Sequence, residues 1–184
     1  MPALDLISFD TCCGWVGLVL DGSTILRVSP AHRTQLAAIR VIGSEYPDVL
    51  TGRLGKTREK VHGERDVLFA DSVAARIQAY FDGEPDDFCD LAVDTSYLTP
   101  LGRQVFEQCR RIPVGQTQTY GELAAAVGRP GAARAVGNFM ALNLTPIVVP
   151  CHRVVGSGGQ LGGFTAPGGL ALKRRLLDIE SARH

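Results

Sequence analysis

Thr119-Tyr120-Gly121-Glu122-Leu123-Ala124-Ala125-Ala126-Val127-Gly128-Arg129-Pro130-Gly131-Ala132-Ala133-Arg134-Ala135-Val136-Gly137-Asn138-Phe139-Met140-Ala141-Leu142 reads as helix, turn, helix. The T-x-x-E start lets the threonine cap a helix whose glutamate reaches back, which predicts a short helix to Val127. Gly128 to Gly131 is the turn. Ala132, Ala135, Val136, Phe139 and Met140 form an i, i+3, i+4, i+7, i+8 apolar stripe, the pattern of a helix with one buried face, expected over Ala132 to Leu142. The other face holds Arg134, Gly137, Asn138 and Ala141, one long cation among small residues, so a backbone could come close to it. A helix-turn-helix is the outline, suited to a DNA groove or to an ordinary helical core.

The surrounding 184 residues carry 19 basic and 19 acidic side chains. Zero net charge argues at first against a nucleic-acid partner, but the sum hides a division. Residues 1 to 97 hold 9 basic and 15 acidic groups, net −6, and residues 98 to 184 hold 10 and 4, net +6. Asp82 to Asp94 has six acids, no base, and the breakers Gly83 and Pro85, so it reads as an exposed connection between domains at 1–94 and 95–184. A composition 45% hydrophobic and 21% charged excludes a disordered chain. No apolar run reaches the ~18 residues of a membrane helix, and Asp5 and Asp10 spoil a signal peptide. The expectation is a soluble cytoplasmic protein.

In the first half, Leu4 to Phe9, Trp15 to Leu20 and Thr24 to Val28 predict strands, the last two joined at Asp21-Gly22-Ser23 as a hairpin. Helices are expected at His32 to Glu45 and Asp66 to Phe81, with a surface loop over Thr51 to Arg65. Five cysteines, Cys12, Cys13, Cys89, Cys109 and Cys151, form no C-x-x-C pair and suit a reducing compartment. Cys12, Cys13, His32 and His62 could be combined into a zinc set, but adjacent cysteines do not match the usual C-x₂₋₄-C spacing, so no metal is assigned.

In the second half, Leu101, Val105, Phe106 and Cys109 predict a helix ending before Pro113. Ile147 to Val149 reads as a buried strand, with Pro150 fixing the chain direction before Cys151. The neighbouring His152 and Arg153 would make the thiol's surroundings electropositive, favouring the thiolate that attacks electrophiles; an inert buried cysteine is the alternative. Gly156 to Gly169 has seven glycines in fourteen residues, a loop able to fold over a bound group. The last helix, Leu170 to Glu180, carries an acid near its C-terminus, where the helix dipole disfavours it. A specific partner for Glu180 is therefore expected.

Tyr120, Ala133-Arg134-Ala135-Val136-Gly137, Asn143, Pro150-Cys151-His152-Arg153-Val154-Val155, Gly163-Phe164 and Gly168-Gly169-Leu170 occur in an order and spacing that resembles the O6-alkylguanine-DNA alkyltransferase family, across about Leu98 to Glu180. The resemblance implies an α+β fold: a small N-terminal antiparallel-sheet α/β domain of RNase H-like type, then a mostly helical, winged-helix-like C-terminal domain with the helix-turn-helix. It implies a monomer that repairs O6-alkylguanine in double-stranded DNA, with O4-alkylthymine an open second substrate. The alkyl group would pass irreversibly to Cys151, with no cofactor and one turnover per molecule.

By the same resemblance His152 is the base, acting through a water because neighbouring side chains on an extended chain point apart, and Glu180 orients it. Tyr120 serves the leaving purine and Asn143 braces the turn presenting Cys151. Arg134 is the finger filling the stack vacated by a flipped base. Ala133, Gly137, Asn138 and Ala141 face DNA, and Val154, Gly163, Phe164 and Thr165 belong to the substrate loop. Departures from the family pattern are Phe139, where a small residue is usual, Leu144 after Asn143, where proline is common, and the longer loop segment Thr165-Ala166-Pro167. Rival readings are a lesion binder without chemistry, a cysteine hydrolase and a helix-turn-helix regulator.

Overall fold

A computed structural model of the chain describes residues 4–46 and 64–182. Three strands, β1 (Asp5–Thr11), β2 (Gly14–Asp21) and β3 (Thr24–His32), form an antiparallel meander, and the short β4 (Ala92–Val93) adds in parallel to β3. The hairpin at Asp21-Gly22-Ser23 forms as its sequence dictates, with Gly22 at φ 55°. Val16 to Leu20 are all buried, the signature of a central strand covered on both faces. Helix α1 (Gln35–Glu45) covers one face, with Ile42 filling the space above Gly17; a Cβ there would sit 2.2 Å from Ile42 Cδ1. Helix α2 (Glu64–Phe81) covers the other through Val73, Ile77, Tyr80 and Phe81.

Two boundaries differ from expectation. Strand β3 continues to His32, so α1 starts only at Gln35, with the Thr34 hydroxyl accepting from Ala37 N; the Ser29 hydroxyl and His32 Nε2 pair at 2.8 Å inside the sheet and hold the histidine in the strand. Helix α2 takes in Glu64 and Arg65. The rest of the loop expected over Thr51 to Arg65, including His62, lies outside the described residues.

The acidic segment is not the freely exposed connection its composition implies. Phe88 and Leu91 are buried, and the Arg76 guanidinium clasps Asp86 and Asp90 at 2.7 Å each. Arg110, from the second half of the chain, donates to Phe88 O and Leu91 O. Six like charges are tolerable because two arginines reach into them.

Beyond it come α3 (Pro100–Arg110), β5 (Gln118–Thr119), α4 (Tyr120–Ala126), α5 (Ala133–Ala141), β6 (Val154–Val155) and α6 (Gly169–Ser181). The capping box closes as expected: Glu122 N donates to the Thr119 hydroxyl and Thr119 N to the Glu122 carboxylate. Gly128 and Gly131 take φ 70° and 88° in the turn, backbone conformations that L side chains resist. Phe139 packs inward against Gly102, where a Cβ would meet its ring at 3.0 Å. The large residue on α5 is thus matched by a missing side chain on α3, and the outer face of α5 stays small.

The largest correction concerns Ile147 to Val149, which form no strand. Pro146 and Pro150 remove backbone donors on either side, and the segment turns tightly, Val149 N donating to Thr145 O and Cys151 N to Val149 O. Ile147 has φ 79°, unusual for a β-branched residue. Cys151 to Arg153 then form one turn of 3₁₀ helix rather than extended chain. Val28 N, in β3, donates to Leu144 O at 2.9 Å, and Ile147 and Val148 enter the core of the sheet while Val149 and Cys151 enter that of the helices. The turn carrying the cysteine is wedged between two cores.

Candidate active site

Cys151 is 7% exposed and its sulfur accepts from Asn143 Nδ2 at 3.0 Å. The same amide donates to Val149 O at 2.8 Å, and Asn143 Oδ1 accepts from Thr145 N. One buried side chain therefore ties both ends of the turn and touches the thiol. Burial pushes the Cys151 thiol up, opposed by the Asn143 hydrogen bond and the charge of Lys173. The electropositive surroundings expected from His152 and Arg153 are not what opposes burial here, because both side chains are turned to Glu180.

Glu180 is 4% exposed. Its Oε1 receives Arg153 Nη2 at 2.8 Å and Arg153 Nε at 3.0 Å, lies 2.9 Å from His152 Nε2, and accepts the Tyr80 hydroxyl; Oε2 accepts Gly115 N at 3.1 Å. These partners answer the unfavourable place of an acid in the last turn of α6. Against the desolvation that would raise it, the hydrogen bonds of His152 and Arg153 and the charge of the Arg153 guanidinium hold the Glu180 carboxyl well below the usual carboxylate range. Burial lowers His152, opposed by Glu180. The imidazole is thus neutral: its Nε2–H faces the carboxylate, and its buried Nδ1 has no partner among the described residues.

Lys173 is fully buried, and its ammonium donates to Val154 O at 2.7 Å, approaches Gly163 O at 3.5 Å, and lies 5.9 Å from the centre of the Tyr120 ring. Among the described residues no carboxylate forms an ion pair with it. Burial lowers its pKa, opposed by the thiols Cys151 and Cys109. Tyr120, half-buried, has its phenol raised by burial. Gly162, at φ 64°, lets the loop pass so close to this phenol that a Cβ there would sit 2.8 Å from the hydroxyl oxygen.

Tyr120, Gly137, Met140, Ala141, Cys151, Gly163, Phe164 and Thr165 line a cavity of about 200 Å³. The Thr165 hydroxyl donates to Ala141 O, pinning the glycine-rich loop to the end of α5. Outside it, Thr119, Tyr120, Gly121, Ala133, Arg134, Gly137, Asn138 and Ser157 line an open groove of about 520 Å³. Tyr120 and Gly137 belong to both. Val154 is absent from both linings and contributes its carbonyl to Lys173.

Tyr80 and Lys173 lie outside the expected site residues, and Arg153, expected to act on the thiol, pairs with Glu180 instead. Tyr80 looks in sequence like one more apolar position of α2, and Lys173-Arg174-Arg175 looks like a solvated basic face. Only the tertiary fold separates the inward Lys173 from its exposed neighbours.

Residues 100–182 match the family described as 6-O-methylguanine DNA methyltransferase, DNA binding domain. The methylated-DNA–protein-cysteine methyltransferase of Mycolicibacterium paratuberculosis is 45% identical over 145 residues, 79% of each chain. The chain belongs to the methylated-DNA–protein-cysteine methyltransferase family. The Mycobacterium tuberculosis methyltransferase of the same name is 44% identical over 108 residues, which span 59% of this chain and 63% of that protein. Among solved structures, that of M. tuberculosis OGT in complex with DNA superposes with a TM-score of 0.67 at 31% identity, covering 96% of this chain and 92% of that one. A second structure, that of M. tuberculosis O6-methylguanine methyltransferase, gives 0.68 at 28% identity over 98% and 94%. The mixed fold, an antiparallel sheet followed by a helical region, is that of methyltransferases of this family. Among the described residues no helix is long and apolar enough to cross a membrane.

Proposed function

We propose that this methyltransferase repairs double-stranded DNA directly, moving the alkyl group of O6-alkylguanine onto Cys151. The observation that carries the reading is that Cys151 lines a small cavity sharing Tyr120 and Gly137 with an open groove along the outer face of α5. About 200 Å³ is below the roughly 300–1,000 Å³ of ordinary small-molecule sites. It suits one flat ring with its substituent, delivered from the groove by flipping, because a base within the duplex stack cannot be reached.

Neutral His152 takes the thiol proton on Nδ1, through a water, since its other nitrogen is committed to Glu180. The imidazolium so formed faces a carboxylate that is already ionised. The sulfur attacks the sp³ carbon, the S–C bond forms as the C–O bond breaks, and the electron pair passes to the purine, which takes a proton from the Tyr120 hydroxyl. Lys173 offsets negative charge first on the sulfur and then on the phenol oxygen. The thioether has no good leaving group, so each molecule reacts once, with the protein as acceptor and no cofactor drawn upon. The chain is read as two domains, 1–94 and 95–184, acting as a monomer in the cytoplasm, at the nucleoid if the source is bacterial.

The test is the mass of the intact protein after mixing with an oligonucleotide containing O6-methylguanine. One methyl in place of one hydrogen, stoichiometric and absent in Cys151→Ala, is expected. An unmodified protein that binds the lesion tightly would instead indicate a lesion binder. Arg134→Ala should slow transfer from duplex DNA about tenfold and leave reaction with free O6-methylguanine base unchanged, because flipping costs a few kcal/mol and roughly 1.4 of these correspond to a factor of ten. Equal losses on both substrates would remove Arg134 from the finger role.

A further inference from the structure

The two central residues of the β1–β2 turn, Cys12 and Cys13, present a pair of thiols that alkyl transfer does not use. Their sulfurs lie 3.8 Å apart, far beyond a disulfide bond of ~2.05 Å. Cys12 is exposed and Cys13 half-buried. The turn is held rigid: Cys13 N donates to the Thr11 hydroxyl, which donates to Gly14 O. Gly14, at φ 106°, could not carry a Cβ, which would meet His32 O at 2.6 Å. His32 itself is occupied by Ser29, so its imidazole does not join the pair. What does join it is an oxygen: Cys12 Sγ lies 3.2 Å from Phe81 O, the last carbonyl of α2. That is the negative end of the helix dipole, and it suits an electrophile bridging the sulfurs better than an additional anion.

We infer that Cys12 and Cys13 form a chelating dithiol for trivalent arsenicals. Such a centre binds two sulfurs on one side of a single large atom, which a sulfur–sulfur separation of 3.8 Å on one tight turn allows without movement of the strands. With phenylarsine oxide the step is PhAs=O + 2 Cys–SH → PhAs(S–Cys)₂ + H₂O. Two As–S bonds form, both thiol protons leave in the water, and arsenic stays trivalent, so no oxidant or reductant is needed. Arg175 of α6 lies beside both sulfurs. The second thiol is intramolecular, at an effective concentration of roughly millimolar or more, so dilute monothiols should not strip the adduct.

The experiment mixes the full-length protein with one equivalent of phenylarsine oxide and about 1 mM glutathione, a level set against that effective concentration, and reads the intact mass. One phenylarsenic adduct is expected on the wild type and on Cys151→Ala, released by a dithiol such as dimercaptopropanol. Cys12→Ser and Cys13→Ser, checked as folded by their unfolding midpoints, should each lose at least nine-tenths of it, since one remaining thiol exchanges with glutathione. No adduct on the wild type, an adduct retained by both serine variants, or loss in Cys151→Ala would overturn the assignment.

Discussion

Glu180→Ala should cost about 3–5 kcal/mol of stability, the range for removing one partner of a buried ion pair, and transfer to Cys151 should fall with it. The reason lies in what is left. Arg153 is fully buried and among the described residues would keep only Ile112 O as a hydrogen-bond partner for its guanidinium, while the Tyr80 hydroxyl and Gly115 N would lose the Glu180 carboxylate as acceptor. Against a total of ~5–15 kcal/mol for a natural domain, this is a large share. Urea denaturation should show a lower midpoint with an unchanged slope. Glu180→Gln, which keeps the shape, separates chemistry from packing: it should fold better than the alanine variant yet transfer slowly, because the imidazolium formed on His152 no longer faces a negative charge.

The pH dependence follows from the same cluster. The folded Glu180 carboxyl titrates below its ordinary value of 4.5, so on acidification the unfolded chain takes up this proton first. Its contribution is complete above 4.5 and drains as pH falls below it. His152, lowered from 6.5 by burial, adds a loss of the same sign beginning near 6.5, because the unfolded imidazole binds a proton that the folded one resists. Stability should therefore fall steadily from neutrality to pH 4, and Glu180→Gln should flatten the portion below 4.5. A variant whose acid slope matched the wild type would show that the carboxylate is not held by its partners in the fold.

How much of this was legible in the sequence depends on what each residue's signal competes with. The helix-turn-helix could be read because capping box, Gly/Pro turn and apolar stripe all agree locally. Glu180 drew notice because an acid at a helix C-terminus opposes the dipole, and its partners lie within hydrogen-bond reach. Ile147 to Val149 misled because a buried apolar run looks the same whether it is extended or coiled into a turn; the two flanking prolines were the usable signal. With the strand went the picture of Cys151 on extended chain and of His152 and Arg153 as its activating charges. Arg153 meets Glu180 across 27 residues of sequence, and Tyr80 meets it across 100, separations that no local pattern encodes. The acidic connection hid its anchors for the same reason: Arg76 and Arg110 come from helices on either side of it.

Lys173→Met should reduce transfer by about two to three orders of magnitude, the loss seen when one preorganised electrostatic donor is removed from a reacting centre. Methionine fills much of the same volume, so the helices stay packed, but three things go together. Val154 O and Gly163 O lose their donor, the loop beside Tyr120 loses its tie to α6, and the charge that opposes burial at Cys151 disappears. A purely structural lysine would account for the first two alone. The third has its own readout: the pH at which iodoacetamide alkylates Cys151 should rise in Lys173→Met, whereas in Thr165→Ala, which loosens the same loop at its other anchor on Ala141 O, it should stay where it is. If both variants left the thiol's titration unchanged, Lys173 would be a fastener of the loop and the negative charge at sulfur would have to be met by the Asn143 amide alone.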